Sequence, residues 1–255
     1  MARVRVPMTA FIWGDLTRTA LSEHGDHDAV AVLPVGAVEQ HGPHLPTCTD
    51  ARIVEEVARR TMALLDESVS AVLLPTLPFG FSDHHLPFGG TLSLRADTMA
   101  SVLLDLVRSI SRAGFRRVLM LNGHGGNSDI CGMVAKQASV DLDVLVAWAS
   151  YWKLLNSEAQ DGHIPGHAGD FETSIMLALE PQHVEMAASR PSPAAWPSRK
   201  QPGVFASDMR AWARLDGFSG DPTHASAQRG EVYLAQGCEL LAEAIAELAQ
   251  AERGE

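Results

Sequence analysis

The chain has 255 residues, enough for one large α/β domain or two small ones. Apolar residues make up 46% and charged residues 20%; the net charge of -11, with no Lys/Arg-rich run, excludes a nucleic-acid partner, which needs a basic face. The three cysteines, Cys48, Cys131 and Cys238, are odd in number and far apart, so a reducing cytoplasm is expected rather than a disulfide framework.

Met1 to Gly14 carry Arg3 and Arg5 before a brief apolar patch. Asp15 follows at once and no small-residue cleavage pattern is evident, so export is not expected. No apolar run is long enough to span a bilayer, and no membrane partner is expected. Residues 11–28 read as a lead-in helix and an acidic loop, with no role for His24 or His27. Residues 29–36 read as a buried strand.

That strand spills into a loop holding Glu39, His41, His44 and Asp50, with Cys48 as a small packed residue. Glu39 and His41 are spaced i, i+2, which puts both side chains on one face of an extended segment. From Thr49 the pattern turns helical, with Ile53, Val54, Val57, Ala58, Met62 and Leu65 on one side. Thr49 reads as the N-cap, with Asp50 in the first turn.

Residues 69–77 read as a second strand, and 78–95, rich in Gly, Pro and His, as a functional loop. A helix is predicted over 96–113, ended by Gly114, and a third strand over 116–121. The third strand runs into Asn122-Gly-His-Gly-Gly-Asn-Ser128, then a helix over 128–140 and a fourth strand over 144–149. Beyond Tyr151 a turn-rich loop reaches His167 and Asp170 and leads into a helix over 171–179 that carries Glu172. Residues 187–226 show little periodicity and are expected to cover the active edge or a subunit contact. A last amphipathic helix spans about 228–251. No repeat or second domain is evident, so residues 1–255 read as one unit.

Strand–helix alternation predicts a doubly wound, largely parallel sheet whose ligands sit beyond the carboxyl ends of the strands. The loops bearing Glu39 and His124 both land on that edge. Carboxylates and neutral imidazoles without thiolates suit zinc, manganese or iron and argue against a closed structural zinc site. Glu39, His41, Asp50, His124 and the pair His167/Glu172 are too many donors for one tetrahedral cation. Asp50, at the seam of loop and helix, is the candidate bridge between two, which together can hold a hydroxide and polarise a carbonyl. His44 is expected to play a supporting part, and His84 and His85 to line the pocket or stand as plain loop residues. Asn122-Gly-His-Gly-Gly-Asn read alone could be a phosphate loop, but it lacks the Lys-Ser/Thr ending of a P-loop.

Leu33-Pro-Val-Gly-Ala-Val-Glu-Gln-His-Gly-Pro-His-Leu-Pro, Thr49-Asp50, Asn122-Gly-His-Gly-Gly-Asn and His167-Ala-Gly-Asp-Phe-Glu-Thr-Ser together resemble the creatininase (creatinine amidohydrolase) family, in the family's order. The resemblance implies a three-layer α/β/α sandwich with a mostly parallel central sheet and two divalent metal ions per chain, zinc first, manganese or iron otherwise. By position, Glu39, His41, Asp50 and His124 would be ligands, with Glu172 completing the second metal and His167 as acid/base near the leaving nitrogen. Gly125, Gly126 and Asn127, with His84 and His85, would face the substrate. The implied activity is hydrolysis of a non-peptide C–N bond in a cyclic amide, lactam or formamide by a metal-bound hydroxide, in a cytoplasmic homohexamer. The creatinine-specific enzyme has a Glu where this chain has Gly126, which passes ligand duty to Glu172. His163 and Ile164 stand where aromatic residues would clamp a creatinine ring. A branch that trims a small precursor peptide, and a metal-binding protein without turnover, are the alternatives.

Overall fold

The computed structural model describes residues 11–155, 166–195 and 208–251. His163 and Ile164, and part of the expected cover over 187–226, lie outside the described residues. Five parallel strands form one sheet: β1 (Phe11–Ile12), β2 (Val30–Val35), β3 (Ala71–Leu73), β4 (Arg117–Asn122) and β5 (Leu145–Ser150), in the order β1-β3-β2-β4-β5. β2 lies between β3 and β4 at the centre, with Val30 opposite both Ala71 and Arg117.

Eight α-helices are described around the sheet: α1 (Arg18–Asp26), α2 (Thr49–Leu64), α3 (Ala96–Arg112), α4 (Ser128–Asp141), α5 (Tyr151–Leu154), α6 (Asp170–Leu179), α7 (Met209–Arg214) and α8 (Ala227–Gln250). The alternation of side chains along a strand divides the core into two layers. On β2, Val30 and Val32 face one apolar cluster, shared with residues of α2, α6 and α8. Ala31, Leu33 and Val35 face the other, shared with α3 and α4. Every residue of β2 and β4 is buried, as a parallel strand covered on both faces requires. The architecture is therefore the expected α/β/α sandwich, with a sheet that is wholly parallel among the described residues.

Local departures have local causes. The lead-in is not helical from residue 11: Phe11–Ile12 pair with Val72 and Leu73 as an edge strand, and α1 starts at Arg18, where the Thr17 side chain accepts from Ala20 N. The second strand is only Ala71–Leu73. Pro75 and Pro78 interrupt the backbone donors beyond it, and only an isolated pairing of Val35 with Leu77 continues the direction. Cys48, not Thr49, occupies the cap position of α2, and Thr49 Oγ1 donates to Pro46 O at 2.7 Å. Gly114, at φ 100°, follows α3 in the left-handed region expected of a terminating glycine.

α8 lies directly on α6 at Gly230, where an added Cβ would stand 2.0 Å from Ser174 O. Gly230→Ala is therefore expected to force the two helices apart and destabilise the fold by about 1–3 kcal/mol in urea denaturation. Gly14→Ala, with nothing within 4 Å of the new methyl, should move it by less than about 0.5 kcal/mol.

Candidate metal centre

Three chain segments meet beyond the carboxyl ends of β2, β4 and the start of α6. Two close backbone approaches bring the first turn of α2 between the strand ends. A Cβ on Gly36 would meet Ala51 Cα at 2.5 Å, and one on Gly123 would meet Val54 Cβ at 2.6 Å. Asp50, in that first turn, is thereby carried to both the Glu39 loop and the His124 loop.

The donors then interlock. His124 Nδ1 lies 3.2 Å from Glu39 Oε1 and 3.0 Å from Asp50 Oδ2. His41 Nε2 lies 3.1 Å from the other Asp50 oxygen, Oδ1, and 3.9 Å from Glu172 Oε2. Asp50 thus turns one oxygen to each of two donor groups, Glu39 with His124 and His41 with Glu172. His167 Nδ1 approaches Glu39 Oε1 at 3.4 Å. All of these side chains are buried, Glu39 and His41 completely.

The remaining ring nitrogens are bound outside the centre, which turns the other nitrogen of each ring inward. His41 Nδ1–H donates to Glu39 O at 3.1 Å, and His124 Nε2–H to Phe81 O at 3.0 Å, with Ser82 Oγ at 3.2 Å. Once the ring is neutral, each inward-facing nitrogen is then a lone pair, the form a metal takes. His44, expected in a supporting part, meets Thr173 Oγ1 through Nε2 at 2.8 Å and ties the Glu39 loop to α6 beside Glu172.

The fit to cations rests on carboxylate oxygens that lack a hydrogen-bond partner among the described residues. Both carboxylate oxygens of Glu39 and Oδ2 of Asp50 are buried without a hydrogen-bond partner among the described residues. Buried carboxylates left so are strongly unfavourable unless a cation meets them. Ligand atoms of Glu39, His84 and His124, of Glu39, His41 and His167, and of His41, Asp50 and Glu172 lie within 4.8 Å of one another in each set. The residues present therefore fit divalent metal.

A cavity of about 200 Å³ opens beside the donors, lined by His84, His85, Gly125, Gly126, His167 and Trp212 among others. Asn127 does not line it: its Oδ1 accepts from Phe81 N and its Nδ2 donates to Gly36 O, both at 3.0 Å, so it braces the loops instead. Gly126 has no room for a side chain, since a Cβ there would stand 2.3 Å from Phe81 O. A larger hollow of about 580 Å³ on α4 and β5 has no comparable donor cluster. Trp212 and Gln40 escaped the sequence reading. Trp212 sits in an aperiodic stretch, and the one signal for Gln40 is its place between Glu39 and His41.

Donor chemistry of this kind, at this edge of a parallel sheet, defines a metal-dependent hydrolase. Comparison narrows the class: the model of the creatininase family, described as creatinine amidohydrolase, matches residues 14–245. The mycofactocin precursor peptide peptidase of Mycobacterium tuberculosis (strain CDC 1551 / Oshkosh) is 32% identical over 245 residues, covering 89% of this chain and 86% of that protein. The creatinine amidohydrolase of Pseudomonas putida is also 32% identical over 245 residues, covering 86% and 90%. A solved manganese creatininase superposes with a TM-score of 0.79 at 29% identity, over 93% of this chain and 98% of that one. The chain belongs to the creatininase family, and it is a metal-dependent amidohydrolase.

With no cation between the carboxylates, burial lowers the His41 pKa, but Asp50 beside it outweighs this and carries it up to about 10; Glu39 and Asp50 raise His124 against its burial in the same way. Such raised values stabilise the metal-free fold below the unfolded imidazole pKa of about 6.5, a contribution lost as pH climbs through the folded value. Metal must displace these protons, so affinity should rise with pH. Calorimetric titration with Zn²⁺ in buffers of different ionisation heat should read proton release at about pH 8, where ordinary imidazoles have none to give. Chelation should lower the melting temperature, and Asp50→Asn should abolish the metal-induced rise.

Proposed function

We propose that this chain hydrolyses a non-peptide C–N bond of a small amide at a site holding two divalent cations. The observation that carries the reading is Asp50, whose two oxygens face separate donor pairs while both oxygens of Glu39 stand buried without a hydrogen-bond partner among the described residues. Glu39, His124 and Asp50 would hold one ion; His41, Glu172 and the same Asp50 the other. Three buried carboxylates carry three negative charges, which one divalent ion leaves uncompensated and two more than balance. Zinc suits the mixed carboxylate–imidazole set best, with manganese or iron as alternatives. When bound, such ions supply Lewis-acid polarisation of the amide carbonyl and lower the pKa of water.

The chain's own residues then move the proton. His167 Nε2–H donates to Gln40 O at 2.8 Å, so its Nδ1 is a lone pair directed at the Glu39 side of the cavity. Burial, with His41 and His85 adding to it, holds the His167 pKa well below its usual value, which keeps the ring neutral and able to act as base. Nδ1 accepts a proton from the attacking water and, as imidazolium, returns it to the departing nitrogen while Nε2–H keeps its carbonyl partner. Trp212 packs edge-on to the His167 ring with centroids 5.6 Å apart and helps exclude bulk water. Burial raises the Glu172 pKa to about 8, a charge cost that a cation removes.

A cavity of about 200 Å³ suits a small amide. A second reading has a specific support: the identity to the precursor peptide peptidase equals that to the creatinine enzyme. We also read residues 1–255 as one catalytic unit, working in the cytoplasm as a homohexamer as the family resemblance implies. No described helix is long and apolar enough to cross a membrane.

Metal-replete protein should turn over members of a panel of lactams, formamides and short peptides. Turnover confined to peptides would favour the peptidase branch; none at all would leave only metal binding and overturn the hydrolase reading for this panel. Metal analysis should give two equivalents per chain, and one equivalent that persists in Asp50→Asn would exclude the bridge. His167→Asn should lower kcat by about 10²–10⁴-fold with metal content unchanged.

A further inference from the structure

His85 stands in the cavity wall with its ring stacked on that of His167, centroids 4.1 Å apart and planes 18° from parallel. Which of its nitrogens carries the proton is decided by Gln40, and the orientation of the Gln40 amide is decided by two backbone groups. Gly42 N–H donates to Gln40 Oε1 at 3.0 Å, and Gly217 O accepts from Gln40 Nε2. Exchanging the amide's oxygen and nitrogen would set donor against donor at Gly42 and acceptor against acceptor at Gly217. Nε2 of Gln40 is therefore the nitrogen; its second N–H meets His85 Nδ1 at 2.8 Å, because the other imidazole nitrogen near it, His167 Nε2 at 3.2 Å, carries a proton of its own that goes to Gln40 O.

His85 Nδ1 is consequently an acceptor, and the ring proton sits on Nε2. That N–H points into the site. Among the described residues the carboxylate oxygen nearest to it, Glu39 Oε1, is 3.7 Å away, too far for a hydrogen bond. His167 has the complementary arrangement, with Nε2–H bound to Gln40 O and the Nδ1 lone pair inward. One residue, Gln40, thus uses its side chain and its own carbonyl to set two stacked imidazoles in opposite sense, one presenting a donor and the other an acceptor.

We propose that His85 Nε2–H is a hydrogen-bond donor to the substrate's amide oxygen, and that Gln40 is the positioning residue that fixes it in that form. This rests on the amidohydrolase reading above. An amide offers one good acceptor, its carbonyl oxygen, because the nitrogen lone pair is delocalised. Charge grows on that oxygen as water adds, so a preset donor is worth more there than in the ground state. The two rings then divide the work: His85 holds the oxygen, and His167 handles the proton that travels to nitrogen. Trp212 keeps the donor ring in place, its centroid 4.5 Å from that of His85 at 67°.

The test begins with ¹⁵N-histidine NMR, which reads the tautomer in the metal-free and metal-loaded protein whether or not a substrate is known. The His85 signals, assigned by their loss in His85→Gln, are expected to be pyrrole-type at Nε2 and pyridine-type at Nδ1. In Gln40→Glu the carboxylate must accept, so the ring should switch to Nδ1–H. On a substrate from the panel, His85→Phe keeps the ring shape without the N–H and should lower kcat by about 10²–10³-fold with KM within a few-fold. His85→Gln restores an N–H and should recover at least about tenfold of that loss, with equal metal content in all variants. A wild-type Nδ1–H tautomer, or His85→Phe within about threefold of wild type, would overturn the proposal. Absence of any turnover with the expected tautomer present would instead count against the amidohydrolase reading.

Discussion

Everything in this fold leads to the burial of Glu39, Asp50 and Glu172 within reach of one another. Carboxylates removed from water repel each other and lose hydration, and among the described residues the hydrogen bonds that usually compensate are missing at Glu39 and at one oxygen of Asp50. Imidazoles supply part of the balance, which is why His41 and His124 cling to protons in the metal-free arrangement. Cations complete it. The folded chain is therefore a poor resting state alone and a good host for divalent metal, and the same electrostatic deficit that burdens the fold is what the chemistry uses.

The parallel sheet makes this concentration possible. All five strands point their carboxyl ends the same way, so the turns after β2 and β4 open on one edge, where α2 begins. Glycines at 36 and 123 let the first turn of α2 sit between those strand ends, and Asp50 arrives with its two oxygens turned to different donor groups. Outer bonds from Phe81 O, Glu39 O and Thr173 orient the imidazoles, so most of the order in the centre comes from backbone carbonyls that the sheet and its loops hold still.

Much of this was legible in the sequence because the signals were chemical and local. Glu39 and His41 at i, i+2, Asp50 at a loop–helix seam, and His124 among glycines each announce a residue type that needs a reason to be there. Short continuous apolar runs gave β2 and β4, whose residues are buried on both faces. Phe11–Ile12 were misread because two residues carry no periodicity, and their strand exists only through pairing with β3. The α2 cap was misassigned because Thr49 Oγ1 found Pro46 O instead of the helix end. Asn127, which the family resemblance sets against the substrate, has its amide consumed between Gly36 and Phe81. Trp212 reaches the cavity from residues distant in the chain, and the tautomer logic of Gln40 depends on Gly217, 177 positions away. Such long-range polar geometry leaves no trace in spacing.

Part of the cavity wall comes from outside the turns that carry the main metal donors. The donors ride on the turns after β2 and β4 and on the starts of α2 and α6, whereas His84, His85 and Trp212 come from the 83–88 turn and from α7. Insertions or exchanges in those peripheral pieces can reshape the entrance without disturbing the electrostatic heart. One scaffold can thereby carry differently shaped entrances, which gives a mechanical reason for one chain to stand equally close to two differently named enzymes.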